Sequence, residues 1–238
     1  MLSLLAGDDS ERERLRRELG MDVDKLAKST PDDLVILTFS GHGHTEQGRF
    51  SLLPSDSGKD RITDAVLPKL ISSEELTDWL RDVDAGALVM IIDACHSAAG
   101  VPAGFKPGPM GDRGLGQLAY DKGMRILAAT QADDAALESD KLGQGLLTYA
   151  LVEEGLKAGE NGKPEADRDD DGAVTMTEWL GYAEGRVPGL YEEIRAGTLK
   201  LKEGNIDPNL IEDTILHAQT PALFDFAQVR NEIVLQAQ

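Results

Sequence analysis

Three short segments of the chain are apolar at almost every position. They cover residues 34–39, 87–92 and 124–129. An apolar run of this length, bounded by polar residues, is typical of a parallel β-strand that is covered on both faces. The pattern therefore predicts three buried strands of one sheet.

A helical pattern lies between the first two of these strands. Ser72 and Ser73 precede two glutamates, and apolar side chains then recur as Leu76, Trp79 and Leu80. Acidic residues in the first turn and apolar residues at this spacing predict an amphipathic helix. The two strands and this helix would form a β-α-β unit.

The remaining periodic segments predict further helices at residues 11–19, 145–157 and about 177–186. Residues 98–122 contain six glycines and three prolines with little periodicity, which indicates a long loop. Long loops in compact domains are often functional.

The order of these elements predicts the α/β class, with a mostly parallel sheet flanked by helices. The chain has 238 residues, of which 41% are hydrophobic. A chain of this length buries roughly 70% of the surface that it exposes when unfolded. We therefore expect one domain over residues 1–238.

Acidic residues dominate the charged positions, with 43 Asp and Glu against 24 Lys and Arg and a net charge of −19. Nucleic acids and anionic membranes would be repelled, so neither is expected as a partner, whereas cationic peptides would be attracted. No apolar run reaches about 18 residues. The first residues also lack the basic flank of a signal peptide. We expect a soluble, cytoplasmic protein.

The chain has a single cysteine, Cys95, which excludes an internal disulfide and a multi-cysteine zinc site. Cys95 follows the second predicted strand, and His42, between two glycines, follows the first. Because the carboxyl ends of parallel strands meet at one edge of a sheet, we expect a base beside a thiol. The backbone N–H groups of Gly43 and Cys95 are candidate oxyanion donors.

Each of these features taken alone has a simpler explanation. A lone cysteine at a strand end is more often a small buried hydrophobe, and Gly-His-Gly is more often a turn. Their joint occurrence at the ends of consecutive strands favours catalysis. His44 and His96 are weaker candidates for the base, because His96 is adjacent to the thiol residue and is expected to face the other way.

At these residues the sequence resembles the caspase-like cysteine peptidases, and within them the bacterial metacaspase and orthocaspase branch. The matching segments, within residues 30–185, are residues 34–44, 89–97, 126–131, 138–139 and 145–151. The resemblance implies a caspase-like three-layer fold in which His42 is the base and Cys95 the nucleophile of peptide hydrolysis. It also implies protein substrates cut after Arg or Lys, in a bacterial stress, death or defence pathway.

The same resemblance implies a self-processing site in the glycine-rich loop, where Lys106, Arg113 and Lys122 are the basic residues. An enzyme that selects basic residues could cut there. The simpler explanation, which is the stronger one for any single residue, is that these are ordinary solvated charges.

Asp93 provides an argument about specificity. Alternation along a strand places Asp93 and Cys95 on the same face. Two like charges about 4 Å apart repel by roughly 4 kcal/mol at an effective dielectric constant near 20, so a cationic substrate side chain between them would be favoured. Asp93 is thus the expected substrate-binding residue for Arg or Lys. The alternative is a structural cap for the loop that follows the strand.

Residues 167–178 fit the twelve-residue calcium loop, with acids at positions 1, 3, 5 and 12 and a glycine at position 6. The preceding residues 159–164 cannot form a continuous helix, so the loop is EF-hand-like rather than a full helix pair. An acidic surface turn without metal is the alternative, and a regulatory or a structural role for the ion stays open. The expected ligands are Asp167, Asp169, Asp171, Ala173 and Glu178.

The start of the chain does not fit the resemblance. Caspase-like domains have a central first strand ahead of the segment found here, yet only 41 residues precede His42. Three explanations are open: a fragment or late start, a second chain that completes the sheet, or replacement of the strand by residues 1–6. We favour the first two, because an uncovered edge exposes unpaired backbone groups.

Three functions are therefore compatible with the sequence. The first is a cysteine endopeptidase that cuts after Arg or Lys through a thioester at Cys95, with calcium dependence and self-processing as further expectations. The second is a cysteine peptidase of the same clan with a different specificity for the residue before the cut. The third is a calcium-binding interaction module whose His-Cys pair is vestigial.

Overall fold

The fold was analysed in a computed structural model. The structure describes residues 1–19, 23–46, 49–55, 66–97, 113–129, 138–139, 144–159, 162–201, 204–205, 220–227 and 233–237.

The described elements alternate between strands and helices along most of the chain. The strands are β1 (Leu34–Glu46), β2 (Arg49–Leu53), β3 (Ile71–Ser72), β4 (Ala87–Ser97), β5 (Arg125–Ala128), β6 (Glu138–Ser139), β7 (Gln144–Gly145), β8 (Ala173–Thr175), β9 (Lys200–Leu201), β10 (Gly204–Asn205), β11 (Ala222–Asp225) and β12 (Val234–Ala237). The helices are α1 (Leu2–Leu5), α2 (Arg12–Leu19), α3 (Ser73–Arg81), α4 (Arg113–Lys122), α5 (Leu146–Tyr149) and α6 (Met176–Arg195). A π-helical turn, Ala150–Glu154, continues α5.

Six strands form the main sheet in the order β11-β5-β4-β1-β2-β3. The central strands β1, β4 and β5 run parallel, and the pairings of β1 with β2, β2 with β3, and β5 with β11 are antiparallel. Four of the six strands, β1, β3, β4 and β5, therefore run in the same direction. The predicted α/β class with a mostly parallel sheet and flanking helices is confirmed.

Both faces of β4 are covered, which explains its continuous apolar sequence. Val89 and Ile91 pack in one cluster with α5 and α6, whereas Met90 and Ile92 pack in a second cluster with α3 and α4. Successive side chains of a strand point to opposite faces. The sheet is therefore the middle of three layers.

The helix predicted between the first strands is present as α3. Its N-cap is Ser72, whose hydroxyl accepts from the N–H of Glu75 at 3.2 Å, while the Glu75 carboxylate accepts from the N–H of Ser72 at 2.9 Å. Such a reciprocal capping box satisfies donors that a helix start leaves without partners. The hairpin strands β2 and β3 also lie within this connection, so the unit is longer than the sequence pattern indicated.

The prediction of a loop over residues 98–122 is wrong for its C-terminal part, because residues 113–122 form α4. Leu115, Leu118 and Ala119 recur at helical spacing and are buried in the cluster with α3. The nearby glycines diluted this pattern in the sequence. Lys106 lies outside the described residues.

The structure also excludes one of the three explanations for the start of the chain and extends one predicted helix. A strand at residues 1–6 is excluded, because Leu2–Leu5 is helical. The last predicted helix continues beyond residue 186 to Arg195 and includes Pro188. None of the helices in the described part of the chain combines the length and apolarity needed to cross a bilayer.

One edge of β1 is open along its first half. Residues 34–41 pair with β4, and β2 pairs only with His42–Glu46. In the described ranges no strand covers the second edge of residues 34–41. Leu34 and Ile36 are also 36% and 38% exposed, and none of residues 34–39 is fully buried. The prediction that this segment is a strand is confirmed, but the prediction that it is buried on both faces is wrong, because fewer elements pack on β1 than on β4.

Candidate active site

The register of the central strands brings the two predicted catalytic positions together. β1 and β4 are paired without a break from Leu34 opposite Ala87 to His44 opposite Ser97, and His42 lies directly opposite Cys95. Neighbouring strands lie about 4.8 Å apart. The His42 side chain is exposed at this carboxyl end of the sheet. A base and a thiol residue therefore occupy adjacent backbone positions.

Glycines shape the backbone on both sides of His42. Gly41 has φ of +153°, a value that L side chains rarely adopt, and an added Cβ would lie 3.3 Å from the Phe39 ring. Gly43 is buried between Leu52 of β2 and His96 of β4. Since neighbouring strands flank Gly43 on both sides, its expected role as an oxyanion donor stays a prediction.

Asp93 is a buried carboxylate, 4% exposed, two residues before Cys95 on β4. Its Oδ2 atom accepts hydrogen bonds from the backbone N–H of Thr148, at 3.0 Å, and from the Thr148 hydroxyl. Thr148 lies in the first turn of α5, whose N-cap is Gly145. An anionic side chain is favoured at such a helix start, where backbone N–H groups lack partners within the helix.

Gly145 is required by this contact with Asp93. A Cβ atom at position 145 would lie 2.5 Å from Oδ2 and 2.7 Å from Oδ1 of Asp93. Only a residue without a side chain allows so close an approach. In this structure the carboxylate caps α5, which differs from the alternative of a cap for the loop after β4. Its expected contact with a basic substrate side chain stays a prediction.

The basic residues of the proposed self-processing loop have different surroundings. Arg113 begins α4, and Lys122 ends it. The Lys122 ammonium donates to the backbone oxygen of Val83 at 2.8 Å. Lys122 is therefore anchored at a helix end, which makes it a poorer cleavage position than the sequence indicated.

The predicted calcium loop brings three acidic residues together. Asp167, Asp169 and Asp171 each place one carboxylate oxygen within 4.8 Å of the others. The chain turns sharply directly after Asp171, where Gly172 has φ of +86° and donates its N–H to Oδ2 of Asp167 at 3.3 Å. Asp167 is only 4% exposed, and its Oδ1 atom is buried without a hydrogen-bond partner among the described residues. A buried anionic oxygen of this kind fits a cation ligand.

Glu178 is not part of this three-residue group. Its Oε2 atom accepts from the N–H and hydroxyl of Thr175 at 2.9 and 2.8 Å, and its Oε1 atom accepts from the N–H of Arg168 at 3.1 Å. Burial opposes the charged form, but these hydrogen bonds outweigh it and lower the pKa of Glu178. The carboxylate is therefore anionic at neutral pH and serves as the capping-box acid of α6.

The entering side of the acidic loop is not a helix in the described residues. Ala158 and Pro164 form an isolated antiparallel bridge, and Lys163 donates to the backbone oxygen of Asp167 at 3.2 Å and to the Asp170 carboxylate. This agrees with the predicted departure from a full helix pair. Of the helices flanking an EF-hand loop, the described residues contain the exiting one, α6.

A polar network joins the π-helical turn that continues α5 to α6, and no pattern in the sequence predicts it. Trp179 Nε1 donates to the backbone oxygen of Leu151 at 2.7 Å. Arg186 donates to both carboxylate oxygens of Glu154, at 2.7 and 3.0 Å, and to those of Glu193, at 2.6 and 3.1 Å. Burial opposes the charge of Arg186, yet the hydrogen bonds that it donates to Glu193 and Glu154 raise its pKa. Contacts across so many residues leave no local sequence signal.

Comparison with known proteins identifies a family for this chain. A family model described as the caspase domain matches residues 6–170, which is more than half of the chain. No curated protein matches the chain.

Proposed function

Because the chain belongs to the caspase domain family, which implies a cysteine-type peptidase, we propose that it is an endopeptidase that uses Cys95 as nucleophile and His42 as base. The observation that carries the proposal is the register of β1 and β4, which places His42 opposite Cys95 at the carboxyl end of the sheet. Two reactive residue types on adjacent strands at this edge match the usual location of ligand sites in parallel sheets.

The proposed reaction is hydrolysis of a peptide bond in two steps, through a thioester at Cys95. His42 accepts the proton of the Cys95 thiol, and the thiolate forms a bond to the carbonyl carbon of the peptide. Protonation of the leaving amine by His42 accompanies cleavage of the C–N bond and leaves a thioester. Water, deprotonated by His42, then hydrolyses the thioester and regenerates the thiol. The N–H groups of Gly43 and Cys95 are the proposed donors to the oxyanion.

We propose Arg or Lys as the residue before the cut. Asp93 is a carboxylate two residues before Cys95 on the same strand, and the whole chain carries a net charge of −19. Both features favour a cationic substrate side chain and disfavour an acidic one. Membership of the metacaspase and orthocaspase branch, a bacterial defence context and a cytoplasmic location belong to the same proposal.

The proposal also includes one calcium ion in the loop of residues 167–178. Ligands would be the carboxylates of Asp167, Asp169 and Asp171, the carbonyl of Ala173, and Glu178 once it turns from its capping contacts. When bound, the ion would neutralise charge in a loop rich in acids.

The proposal has two further parts. One is self-processing within residues 98–122. The other is pairing of an additional strand, from an N-terminal segment or a second chain, with the open edge of β1.

One assay tests the peptidase proposal. Fluorogenic peptides that end in Arg, Lys or Asp are incubated with the wild type and with Cys95→Ala, with calcium or with a chelator. We expect hydrolysis of the Arg and Lys peptides by the wild type only. Turnover that survives in Cys95→Ala would contradict the nucleophile, and preference for the Asp peptide would contradict the role of Asp93.

The second candidate is a calcium-binding interaction module with a vestigial dyad. It is favoured by the group of three aspartates with one buried oxygen lacking a partner among the described residues. Calcium binding without hydrolysis of any peptide would favour this candidate. Hydrolysis by the wild type that Cys95→Ala abolishes would exclude it.

A further inference from the structure

The C-terminal strand is paired with the middle of the acidic loop. β12 runs antiparallel to β8, with Val234 opposite Thr175 and Ala237 opposite Ala173. The N–H of Met176 also donates to the backbone oxygen of Ile233 at 2.8 Å. β8 comprises positions 7 to 9 of the twelve-residue loop at 167–178. A segment near the end of the described chain therefore borders the proposed ion site.

The backbone of β8 alternates between the loop and β12. The N–H of Ala173 donates to Oδ1 of Asp171 at 2.8 Å, and the N–H of Thr175 donates to Glu178, so both face the loop. The N–H of Met176 faces β12 instead. In an extended strand the N–H and C=O of one residue share an edge, and the edge changes at each residue. The carbonyl of Ala173 therefore faces the loop, where a calcium loop takes its backbone ligand.

Burial of apolar side chains holds β12 in place. Val174, at the centre of β8, is 1% exposed in the cluster with α5 and α6. Ile233 and Leu235 pack, partly buried, against the same cluster, whereas Val234 is 54% exposed. Docking of β12 therefore fixes the edge of β8 that is opposite the loop.

The buried Oδ1 atom of Asp167 points to a bound cation, independently of the spacing of acids in the sequence. It lacks a hydrogen-bond partner among the described residues, although Asp167 is 4% exposed. A buried charged oxygen without a partner is costly, and a divalent cation would offset that cost. Several carboxylates and one carbonyl favour Ca²⁺, which accepts about six to eight oxygen ligands, over Mg²⁺, which requires a near-ideal octahedral arrangement and keeps several waters.

We propose that Ca²⁺ binding by residues 167–178 and docking of β12 on β8 stabilise each other. The inference rests on the Ca²⁺ site included in the proposed function. An ion bound by Asp171 and the Ala173 carbonyl fixes the conformation of β8 that pairs with β12. Conversely, docked β12 orders β8 before the ion arrives. Such coupling is reciprocal, so disruption of either contact weakens the other.

Calorimetric titration of the full chain with CaCl₂ tests this coupling. We expect the wild type to bind one Ca²⁺. Leu235→Asn, which removes a packed side chain of β12, should raise the Kd by about 5- to 150-fold, the usual range for coupled sites. Val234→Asn is the matched control on the same strand, and because its side chain is exposed the Kd should change by less than about 2-fold.

Hydrogen exchange of the wild type tests the reverse direction without any substitution in β12. Ca²⁺ should slow exchange of the amides at residues 233–237, and Asp169→Asn should remove this effect. Absence of Ca²⁺ binding to the wild type would overturn the site and the coupling together. Ca²⁺ binding of equal affinity in Leu235→Asn, with no change in exchange at 233–237, would overturn the coupling alone. Mg²⁺ binding as tight as Ca²⁺ binding would overturn the choice of ion. None of these readouts depends on peptide hydrolysis.

Discussion

The His42–Cys95 edge and the acidic loop are two candidate sites assembled in different ways. The edge joins residues from two strands, β1 and β4, through the register of a parallel sheet. The loop gathers Asp167, Asp169 and Asp171 from one short stretch of chain. The first arrangement depends on the whole sheet, whereas the second depends on a local turn at Gly172 and on the strand that borders it.

Both sites combine a buried carboxylate with exposed polar side chains. At the sheet edge, Asp93 is buried against the start of α5 and His42 is exposed. In the loop, Asp167 is buried, whereas Asp169 and Asp171 are exposed. Helices α5 and α6 each begin at one of the two regions, because the Asp93 carboxylate caps the start of α5 and α6 leaves the acidic loop. The comparison teaches that the pairing of β1 with β4 positions the proposed catalytic groups, whereas the turn at Gly172 and the bordering strand position the acids of the loop.

The largest expected effect is that of removing the proposed base, His42. It tests whether the residue opposite Cys95 in the strand register is the general base. His42→Ala should lower kcat/KM for an Arg peptide by about 10²- to 10⁴-fold, as is typical for loss of a general base. His44→Ala is the control, because His44 lies opposite Ser97 rather than Cys95, and it should cost far less. Steady-state hydrolysis of the fluorogenic peptide measures both. Equal losses would mean that strand register does not identify the base.

Gly145→Ala tests the contact that buries Asp93. Its Cβ would lie 2.5 Å from Oδ2 of Asp93, so either the carboxylate or the start of α5 must move. We expect a loss of about 1–3 kcal/mol in the free energy of unfolding, together with reduced hydrolysis of Arg peptides. Urea denaturation and the peptide assay provide the two measurements.

Gly181→Ala is the matched control for that substitution. Gly181 lies inside α6, and among the described residues no heavy atom other than those of its own helical backbone and its chain neighbours lies within 4 Å of the Cβ position. Alanine in a helix interior should raise the free energy of unfolding by up to about 1 kcal/mol. A loss of stability at position 181 as large as at position 145 would contradict the steric explanation.

The link between α5 and α6 can be weakened directly. Arg186→Met removes the hydrogen bonds to Glu154 and Glu193 and leaves two partly buried carboxylates without this partner. We expect a loss of about 2 kcal/mol in the free energy of unfolding. Arg195→Met is the control on the same helix, because that side chain is 57% exposed and lies 3.6 Å from Glu192. Equal losses in the free energy of unfolding for the two variants would contradict a stabilising role for the bonds from Arg186 to Glu154 and Glu193.

The smallest expected effect is a pH dependence at Tyr182. Its hydroxyl donates to Oε2 of Glu154 at 2.9 Å, so Tyr182→Phe should cost about 1 kcal/mol at pH 8. Burial, followed by the charge of Glu154, raises the pKa of Tyr182 above its usual value of 10.0. A group whose pKa is raised by folding contributes stability below the unfolded pKa and loses it as the pH rises further.

The difference between wild type and Tyr182→Phe should therefore shrink above pH 10, because the unfolded wild type releases the phenol proton there first. Urea denaturation at a series of pH values from 8 upward measures this difference. A gap that stays constant as the pH rises through the ordinary tyrosine range would contradict the proposed environment of Tyr182.

Patterns within short stretches predicted the fold class and the three central strands of the main sheet, but not its outer strands β2, β3 and β11. The apolar runs identified β1, β4 and β5, and the caps and spacing identified α3. Helix α4 was missed because glycines interrupt its apolar positions, and the end of α6 was missed beyond residue 186. Such errors occur where packing against other elements stabilises a helix that local propensity leaves marginal.

The amino-acid sequence by itself determined that His42 and Cys95 come directly after two apolar strand segments, and it determined the spacing of acids in the 167–178 loop. Only the tertiary structure decided that both strands continue past these residues, to Glu46 and Ser97. It also decided that the Asp93 carboxylate accepts from Thr148 and caps α5, that Gly145 must lack a side chain, and that β12 pairs with β8. The physical reason is the range of the interactions. Periodicity and turn geometry act between neighbours in the chain, whereas hydrogen bonds and close contacts form between whichever segments the folded sheet and helices bring together.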